Sequence, residues 1–278
     1  MGRKMATAHK IIIGDSTSME ELKDESIHLI ITSPPYFNAP FDYKGYFKNY
    51  DLYLEMLRLM SREAFRVLED GRIFVLNIDD MLVDGIKYPI VADATNILTR
   101  SGFRYRDRII WKKPDGYLRI MRRSKVIRQN PYPMYFYPDN LLESLLIFQK
   151  GKFNYRTKTK KQREDSKVDI KEYSSKKWYS TLWEINNVLP GAKLEKGVAA
   201  FPDEIPYRFI KLFSYKNEIV LDPYVGSGTT MKVARILNRH SVGYDIDSKM
   251  VDIIKIKTGF AEENNIGTKK DKLVIHFR

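Results

Sequence analysis

The stretch that most constrains this chain is Thr32-Ser33-Pro34-Pro35-Tyr36, which follows directly on the apolar run Ile27-His28-Leu29-Ile30-Ile31. A short run rich in β-branched side chains predicts a buried parallel strand. Two consecutive prolines must end it, because neither donates to a ladder and each fixes its own φ. What remains is a stiff loop at the carboxyl end of a strand, the edge at which open α/β sheets bind ligands. It presents the Ser33 hydroxyl, the Pro34 carbonyl and the Tyr36 ring to that crevice. Acceptors beside an aromatic face suit a planar base held by its exocyclic amine. Taken alone, the same residues read equally well as an ordinary strand-ending turn.

A second loop far downstream shifts the balance. Glu218-Ile219-Val220-Leu221 predicts a strand running into Asp222-Pro223-Tyr224-Val225-Gly226-Ser227-Gly228-Thr229-Thr230, with a helix over residues 231–237. A glycine-rich turn from strand to helix lets backbone approach a ligand and offers helix N-terminal N–H groups to an anion. The phosphate-binding pattern G-x-x-x-x-G-K-[ST] is missing, and so is G-x-G-x-x-G, which disfavours a nicotinamide dinucleotide. The next strand, Ser241-Val242-Gly243-Tyr244-Asp245, ends in a carboxylate. It stands roughly 20 residues past the loop, the spacing of a ribose-hydroxyl ligand. Asp247 is an alternative for that role.

Between the two loops the pattern is that of an α/β protein. Ile11-Ile12-Ile13 is a short strand ending at Gly14-Asp15, and residues 16–25 predict a helix leading into the 27–31 strand. Strand, helix, strand in so few residues predicts a parallel crossover. Asp15 then sits at the tip of the strand next to Ser33, as a site residue or as a helix cap. Residues 37–49 are aromatic and polar without helical period and predict an ordered or ligand-ordered loop over the site. Helices are expected over 50–68 and 89–100, and strands over 72–78 and 103–111. The 141–148 run is expected to pair with 103–111 as an antiparallel edge hairpin.

At 278 residues the chain allows one large α/β domain, or one domain with an insertion. No apolar run approaches the roughly 18–20 residues of a membrane span, and the first residues lack a signal-peptide pattern, so a cytoplasmic protein with no membrane partner is expected. There is no cysteine, which removes disulfides, cysteine metal sites and any thiolate nucleophile. The net charge is +13, and between Lys112 and Lys177 there are 18 Lys and Arg against 7 Asp and Glu. So localised a surplus suggests a nucleic-acid face. Two stretches carry it. The first has Arg119, Arg122, Arg123, Lys125 and Arg128 before Asn130-Pro131-Tyr132-Pro133-Met134-Tyr135-Phe136-Tyr137-Pro138. The second, residues 151–180, includes Lys158, Lys160 and Lys161 among Phe153, Tyr155, Tyr173, Trp178 and Tyr179. Cations among aromatics suit a surface that grips phosphates and touches bases. Its plainer alternative is a solvated loop.

Thr32-Ser33-Pro34-Pro35-Tyr36 near the start and Asp222-Pro223-Tyr224-Val225-Gly226-Ser227-Gly228-Thr229-Thr230 near the end resemble the amino-methylating DNA methyltransferases of the permuted beta class. In that class the catalytic motif precedes the S-adenosylmethionine motif, with the target-recognition region between them. Gly14-Asp15, Ile109-Ile110-Trp111-Lys112-Lys113-Pro114, Trp183-Glu184-Ile185 and Phe201-Pro202-Asp203-Glu204-Ile205-Pro206 also have counterparts there, so the likeness spans most of the chain. It implies an α/β, Rossmann-like, seven-stranded, mostly parallel sheet with an inserted target-recognition region. The expected division is a catalytic half over 1–113, an insertion over 114–180 interrupted by a sheet strand at 141–150, and a cofactor half over 181–278. By the same likeness Asp222, Gly226 and Gly228, with Pro223, Ser227 and Thr229 of the same loop, cradle the methionine part of the cofactor. Asp245 holds its ribose, Asp15 lies near its adenine, and Phe201 and Pro202 border it. The family often has a histidine shortly before the F-P pair. Gly197-Val198-Ala199-Ala200 has none, so no polar contact is expected from that segment.

Absence of cysteine excludes carbon-5 methylation of cytosine, which needs a thiolate adduct. An exocyclic amine is a weak nucleophile because its lone pair is delocalised into the ring. Accepting its two N–H bonds at the Ser33 hydroxyl and Pro34 carbonyl would free that pair for in-line attack, and positioning would supply much of the remaining rate. The base must be flipped out, with Tyr36 stacking on it and Pro35 stiffening the loop. No metal is expected. Serine before P-P-Y goes mostly with cytosine N4 in the family, and aspartate with adenine N6. The reading is therefore a cytosine-N4 methyltransferase acting on double-stranded DNA, within a restriction-modification system that would include a cognate endonuclease, as monomer or homodimer. An adenine-N6 enzyme and a non-catalytic nucleic-acid-binding protein of the same fold are the alternatives.

Overall fold

The computed structural model describes residues 6–39, 45–114, 125–187, 201–261, 268 and 270–278. The chain opens with strands β1 (Ala8–Ile13) and β2 (Ile27–Thr32), then helix α1 (Tyr50–Val67) and strand β3 (Leu68–Ile78). A small hairpin, β4 (Met81–Val83) and β5 (Ile86–Tyr88), precedes α2 (Ile90–Arg100) and β6 (Arg104–Lys112). Next come α3 (Lys125–Gln129), β7 (Leu142–Gln149), α4 (Lys160–Asp165), α5 (Ile170–Ser175) and β8 (Leu182–Glu184). The remainder is α6 (Glu204–Phe213), β9 (Ile219–Asp222), α7 (Thr229–Ile236), β10 (His240–Asp245), α8 (Met250–Thr258) and β11 (Lys272–Phe277).

Nine strands form one sheet in the order β11-β1-β10-β9-β2-β3-β7-β6-β8. All of these run parallel except β7, which is antiparallel to both its neighbours. Fully buried strands such as Leu29-Ile30-Ile31 feed two layers of core. Ile30 and Phe74 pack under α1 and α2 with Leu57, Met60 and Ala94, while Ile31 and Val75 pack under α6 with Phe209 and Ile210. Helix α1 forms because its apolar residues Tyr53, Leu57, Met60, Ala64 and Val67 recur at three- and four-residue spacing, and Asn49 caps it by accepting from Leu52 N.

The large, mostly parallel sheet is as expected, with nine strands where seven were anticipated; short β8 and alternating β11 extend its two edges. Three local expectations fail. Strands β1 and β2 are not neighbours, because β10 and β9 lie between them. Residues 16–25 form turns, not a helix. Their polar sequence buries only Met19 and Leu22 among its apolar side chains, and side chains of α1 satisfy the backbone: Glu63 accepts from Met19 N, and Arg66 donates to the carbonyls of Met19 and Leu22. The antiparallel β6–β7 pairing is as expected, but short β8 lies outside β6, so the hairpin does not form the edge of the sheet. Strand β1 sits between β10 and β11, among the strands of the carboxyl-terminal half.

The pair β9–β2 divides the sheet. The chain leaves β9 through α7 to β10 on one side, and leaves β2 through α1 to β3 on the other. A crevice opens outside the carboxyl ends at such a reversal. Both motif loops lie there.

Candidate active site

Asp222 ties the two motif loops together. Its carboxylate accepts from Thr32 Oγ1 at 2.7 Å, Thr230 Oγ1 at 2.7 Å and Tyr224 N at 3.1 Å, and it is 3% exposed. Thr32 belongs to the strand that carries Ser33, and Thr230 to the first turn of α7. Burial pushes the Asp222 carboxyl up to about 6, against the pull of these donors. With its oxygens so engaged, Asp222 clamps the junction of the two loops.

The glycine loop is shaped by close approach. Gly228 caps α7 at φ +90°, a conformation that favours glycine, and Val225 N donates to the Tyr244 carbonyl at 2.8 Å. At Gly243 on β10 an added Cβ would stand 2.7 Å from Val225 Cβ, so the loop lies directly on that strand. Asp245 ends β10. Its Oδ2 accepts from Gly226 N at 3.1 Å and its Oδ1 from Asp247 N at 2.9 Å, while burial pushes its carboxyl up. Pairing of Ile13 with Asp245 brings Asp15 alongside, where its Oδ1 accepts from Thr17 N at 2.9 Å. Lys257 of α8 donates to the hydroxyls of Ser227 and Thr229.

A cleft of about 490 Å³ runs along these groups, lined by Gly14, Asp15, Ser33, Pro35, Tyr46, Phe47, Phe201, Pro223, Gly226, Ser227, Thr229, Asp245 and Asp247, with Asp222 at its base. Pro202 lies outside it, on a wider groove of about 1110 Å³ that begins at Phe201. Pro34, Tyr36 and Gly228 do not line the cleft either. The aromatic segment over the site is pinned at Asn38, whose amide donates to the Phe47 carbonyl and accepts from Phe47 N, both at 2.7 Å. Phe37 packs edge-on against Tyr50 and Tyr88.

Tyr36 is packed into the core beside the strand end. It is 7% exposed, and its phenol donates to Glu143 Oε2 at 2.9 Å. Burial, then the charges of Glu143 and Asp79, push its ionisation well up. The ring is core, held by a network of Glu143, Asn77 (Nδ2 donating to Glu143 Oε2 at 2.9 Å) and Lys113 (ion-paired with Glu143). Asn140 donates to Asp79, and burial pushes that carboxyl up to about 6. Asn77, Asp79 and Glu143 were not singled out in the sequence. Ser33 Oγ is buried without a hydrogen-bond partner among the described residues. At the edge of a polar cleft such a group is costly unless something else satisfies it.

The two basic stretches part company. Lys113 N donates to the Leu141 carbonyl at 2.9 Å, so residues 114–140 spring from the carboxyl edge, beside the cleft. Lys125 and Arg128 on α3 are exposed there, as are Tyr132, Met134 and Phe136; Arg119, Arg122 and Arg123 lie outside the described residues. Antiparallel β7 then carries the chain to the opposite, amino edge. Phe153 lies under the Arg72 guanidinium and stacks on Tyr215. Lys158 pairs at 2.7 Å with buried Glu218, which also pairs with Arg72. Lys158 is thus a half-buried cation engaged by Glu218, and Lys160 and Lys161 follow it at the edge away from Ser33. Trp178 is buried, and Glu172 of α5 accepts from Tyr207 and Lys211 of α6. Phe153, Lys158, Glu172 and Trp178 thus pack this segment on the sheet, whereas Tyr155, Tyr179, Lys160 and Lys161 are exposed.

This is a doubly wound α/β fold with a ligand cleft at its switch point. By the match of residues 27–256 to the N6/N4 DNA methylase family model, the chain belongs to the family of DNA methylases. It is 32% identical to the type II methyltransferase M.MjaI of Methanocaldococcus jannaschii over 95% of each chain. It is 30% identical to the type II methyltransferase M.MthZI of Methanothermobacter thermautotrophicus, over 90% of this chain and 76% of that one. Among solved structures, TTHA0409 of Thermus thermophilus in complex with S-adenosyl-L-methionine superimposes with a TM-score of 0.73 at 25% identity, over 96% of this chain and 99% of that one. The cytosine-N4-specific PvuII DNA methyltransferase shares the fold, with a TM-score of 0.67 at 18% identity over 98% of each chain.

Proposed function

We propose that the chain transfers a methyl group from S-adenosylmethionine to the N4 amine of a cytosine flipped out of double-stranded DNA. The observation that carries this reading is the unpartnered, buried Ser33 hydroxyl at the rim of the glycine-loop cleft. The cleft has a volume suited to a ligand of that size. Its walls supply what such a molecule needs: backbone at Gly226, a carboxylate at Asp245 or Asp247 for ribose hydroxyls, hydroxyls at Ser227 and Thr229, and the Phe201 ring. When bound, S-adenosylmethionine supplies an electrophilic methyl on a sulfonium.

The chain's own part is to hold and expose the amine. Ser33 and the Pro34 carbonyl accept its two N–H bonds, which draws the nitrogen toward tetrahedral geometry and releases its lone pair. The Asp222 clamp keeps the strand end carrying Ser33 in fixed register with the glycine loop, so amine and methyl donor meet in line. DNA approaches along the carboxyl edge, where Lys125 and Arg128 take phosphates and the 130–138 turn faces the bases. Serine in the first position of the S-P-P-Y motif supports cytosine over adenine. The likeness to type II methyltransferases supports protection of one short DNA sequence against a cognate endonuclease.

Ser33→Ala tests the role of the hydroxyl. It is expected to slow methyl transfer by about 10–100-fold, the loss of one transition-state hydrogen bond, while S-adenosylmethionine affinity stays within about twofold. An unchanged single-turnover rate would remove Ser33 from the chemistry.

A further inference from the structure

Two buried polar atoms near the catalytic strand end, Ser33 Oγ and Asn77 Oδ1, have no hydrogen-bond partner among the described residues. They belong together. The pairing of Thr32 with Leu76, continued by one residue, sets Ser33 beside Asn77 on adjacent strands. Side chains alternate along a strand, and Ile31 and Val75 both enter the core under α6, so Ser33 and Asn77 fall on that same face. Glu143 Oε2 accepts from Asn77 Nδ2 and from the phenol of Tyr36, and that phenol lies beside the Ser33 hydroxyl.

The direction of the Asn77 amide follows from its partner. A carboxylate offers acceptors only, so the amide nitrogen must face Glu143 and the oxygen must face away. Glu143 is itself fixed by the Lys113 ammonium and the Tyr36 phenol. Asn77 Oδ1 is thus a preset acceptor, free to take a proton donor that the protein has yet to turn toward it.

We propose that Asn77 is a positioning residue for Ser33. When the amine enters, the Ser33 hydroxyl donates to Asn77 Oδ1 and turns a lone pair toward the amine N–H. A hydroxyl has a single proton to place. Aimed at the amine nitrogen, it would compete for the lone pair that must attack the methyl. Aimed at Asn77, it leaves Ser33 a pure acceptor at the moment of transfer. No bond is made or broken at Asn77, and a neutral amide does not take up the proton that the methylated amine later releases. Tyr36 Oη, which donates to Glu143 and keeps its lone pairs, is the competing acceptor beside Ser33, and the Y36F cycle below separates it from Asn77 Oδ1. This inference rests on the amine-to-Ser33 reading above.

The test is a double-mutant cycle of single-turnover methyl transfer on DNA with S33A, N77L and S33A/N77L, accompanied by S-adenosylmethionine affinity and melting temperature. N77L is expected to lower the rate about tenfold, the loss of one oriented hydrogen bond, with cofactor affinity unchanged. On the S33A background it should cost nothing further, because its effect passes through Ser33. In a second variant, N77D, one carboxylate oxygen can still accept from Ser33 while the other faces Glu143. Such a pair needs a shared proton, so N77D should be active at low pH and lose activity as pH rises, a fall the unsubstituted enzyme lacks. A rate loss by N77L that multiplies with that of S33A, or no loss at all, would overturn the proposal. So would a cycle in which Y36F, and not N77L, is silent on the S33A background. If S33A itself leaves the rate unchanged, the amine-to-Ser33 reading is what falls.

Discussion

Asp222→Asn isolates the cost of burying a charge at the junction of the two motif loops. The carboxyl is moved from the usual 3.8 to about 6, mainly by burial. At about 1.4 kcal/mol per unit, that shift corresponds to about 3 kcal/mol between the fully protonated and fully ionised limits. The sign follows from linkage. A carboxyl whose folded-state value is raised holds its proton more tightly in the folded chain than in the unfolded one. Its contribution is therefore full below 3.8 and is lost as pH rises through about 6. Asparagine keeps the shape without the titration. Its oxygen can accept from Thr32 and Tyr224 N, and its amide can donate to a turned Thr230 hydroxyl. Urea unfolding of both proteins between pH 4.5 and 7.5 measures the difference directly. The stability of the unsubstituted protein relative to Asp222→Asn should fall by about 2 kcal/mol across that window, the share of the full shift it spans. A difference that stays flat with pH would mean that the three donors offset burial completely, and the clamp would be an ordinary ionised carboxylate.

Gly243→Ala must push Val225 away from β10. It should cost roughly 1–3 kcal/mol of stability and weaken S-adenosylmethionine binding, read by melting and calorimetric titration; no change in either would mean the loop is not held by this contact. Asp245→Ala removes both the acceptor for Gly226 N and the proposed ribose ligand. Cofactor affinity should fall at least about tenfold, and if it does not, Asp247 of the same cleft is the ligand. Replacing Lys125 and Arg128 together by alanine should reduce the slope of log affinity for DNA against log salt by about 2, whereas the same change at Lys160 and Lys161 should leave it unaltered. An equal effect from both pairs would place DNA along the amino edge as well.

The two motif loops were legible because their signals are local. Double proline after an apolar run stops a strand wherever that strand sits, and Gly226 and Gly228 mark a strand-to-helix turn in any sheet. The apolar periodicity of α1 was equally plain. Neighbourhood was not legible. Nothing in Ile11-Ile12-Ile13 says that β10 and β9, more than two hundred residues on, come between it and β2. The basic stretches looked alike by composition, and only the reversed direction of β7 sends Lys160 and Lys161 to the far edge while Lys125 and Arg128 stay beside the cleft. Lys158 read as a surface cation because its partner Glu218 lies sixty residues away. Asn77 and Glu143 stood in apolar strands as unremarked polar residues, and the β3–β7 pairing alone brings them together at Tyr36.

The central claim is the methylation of cytosine N4 through Ser33. Its most direct test is transfer from labelled S-adenosylmethionine to a mixed-sequence duplex, followed by digestion to nucleosides and mass analysis. The account predicts labelled N4-methylcytosine from the unsubstituted protein and its loss in Ser33→Ala. Labelled N6-methyladenine would contradict the base assignment, and labelled N4-methylcytosine formed equally fast by Ser33→Ala would contradict the mechanism.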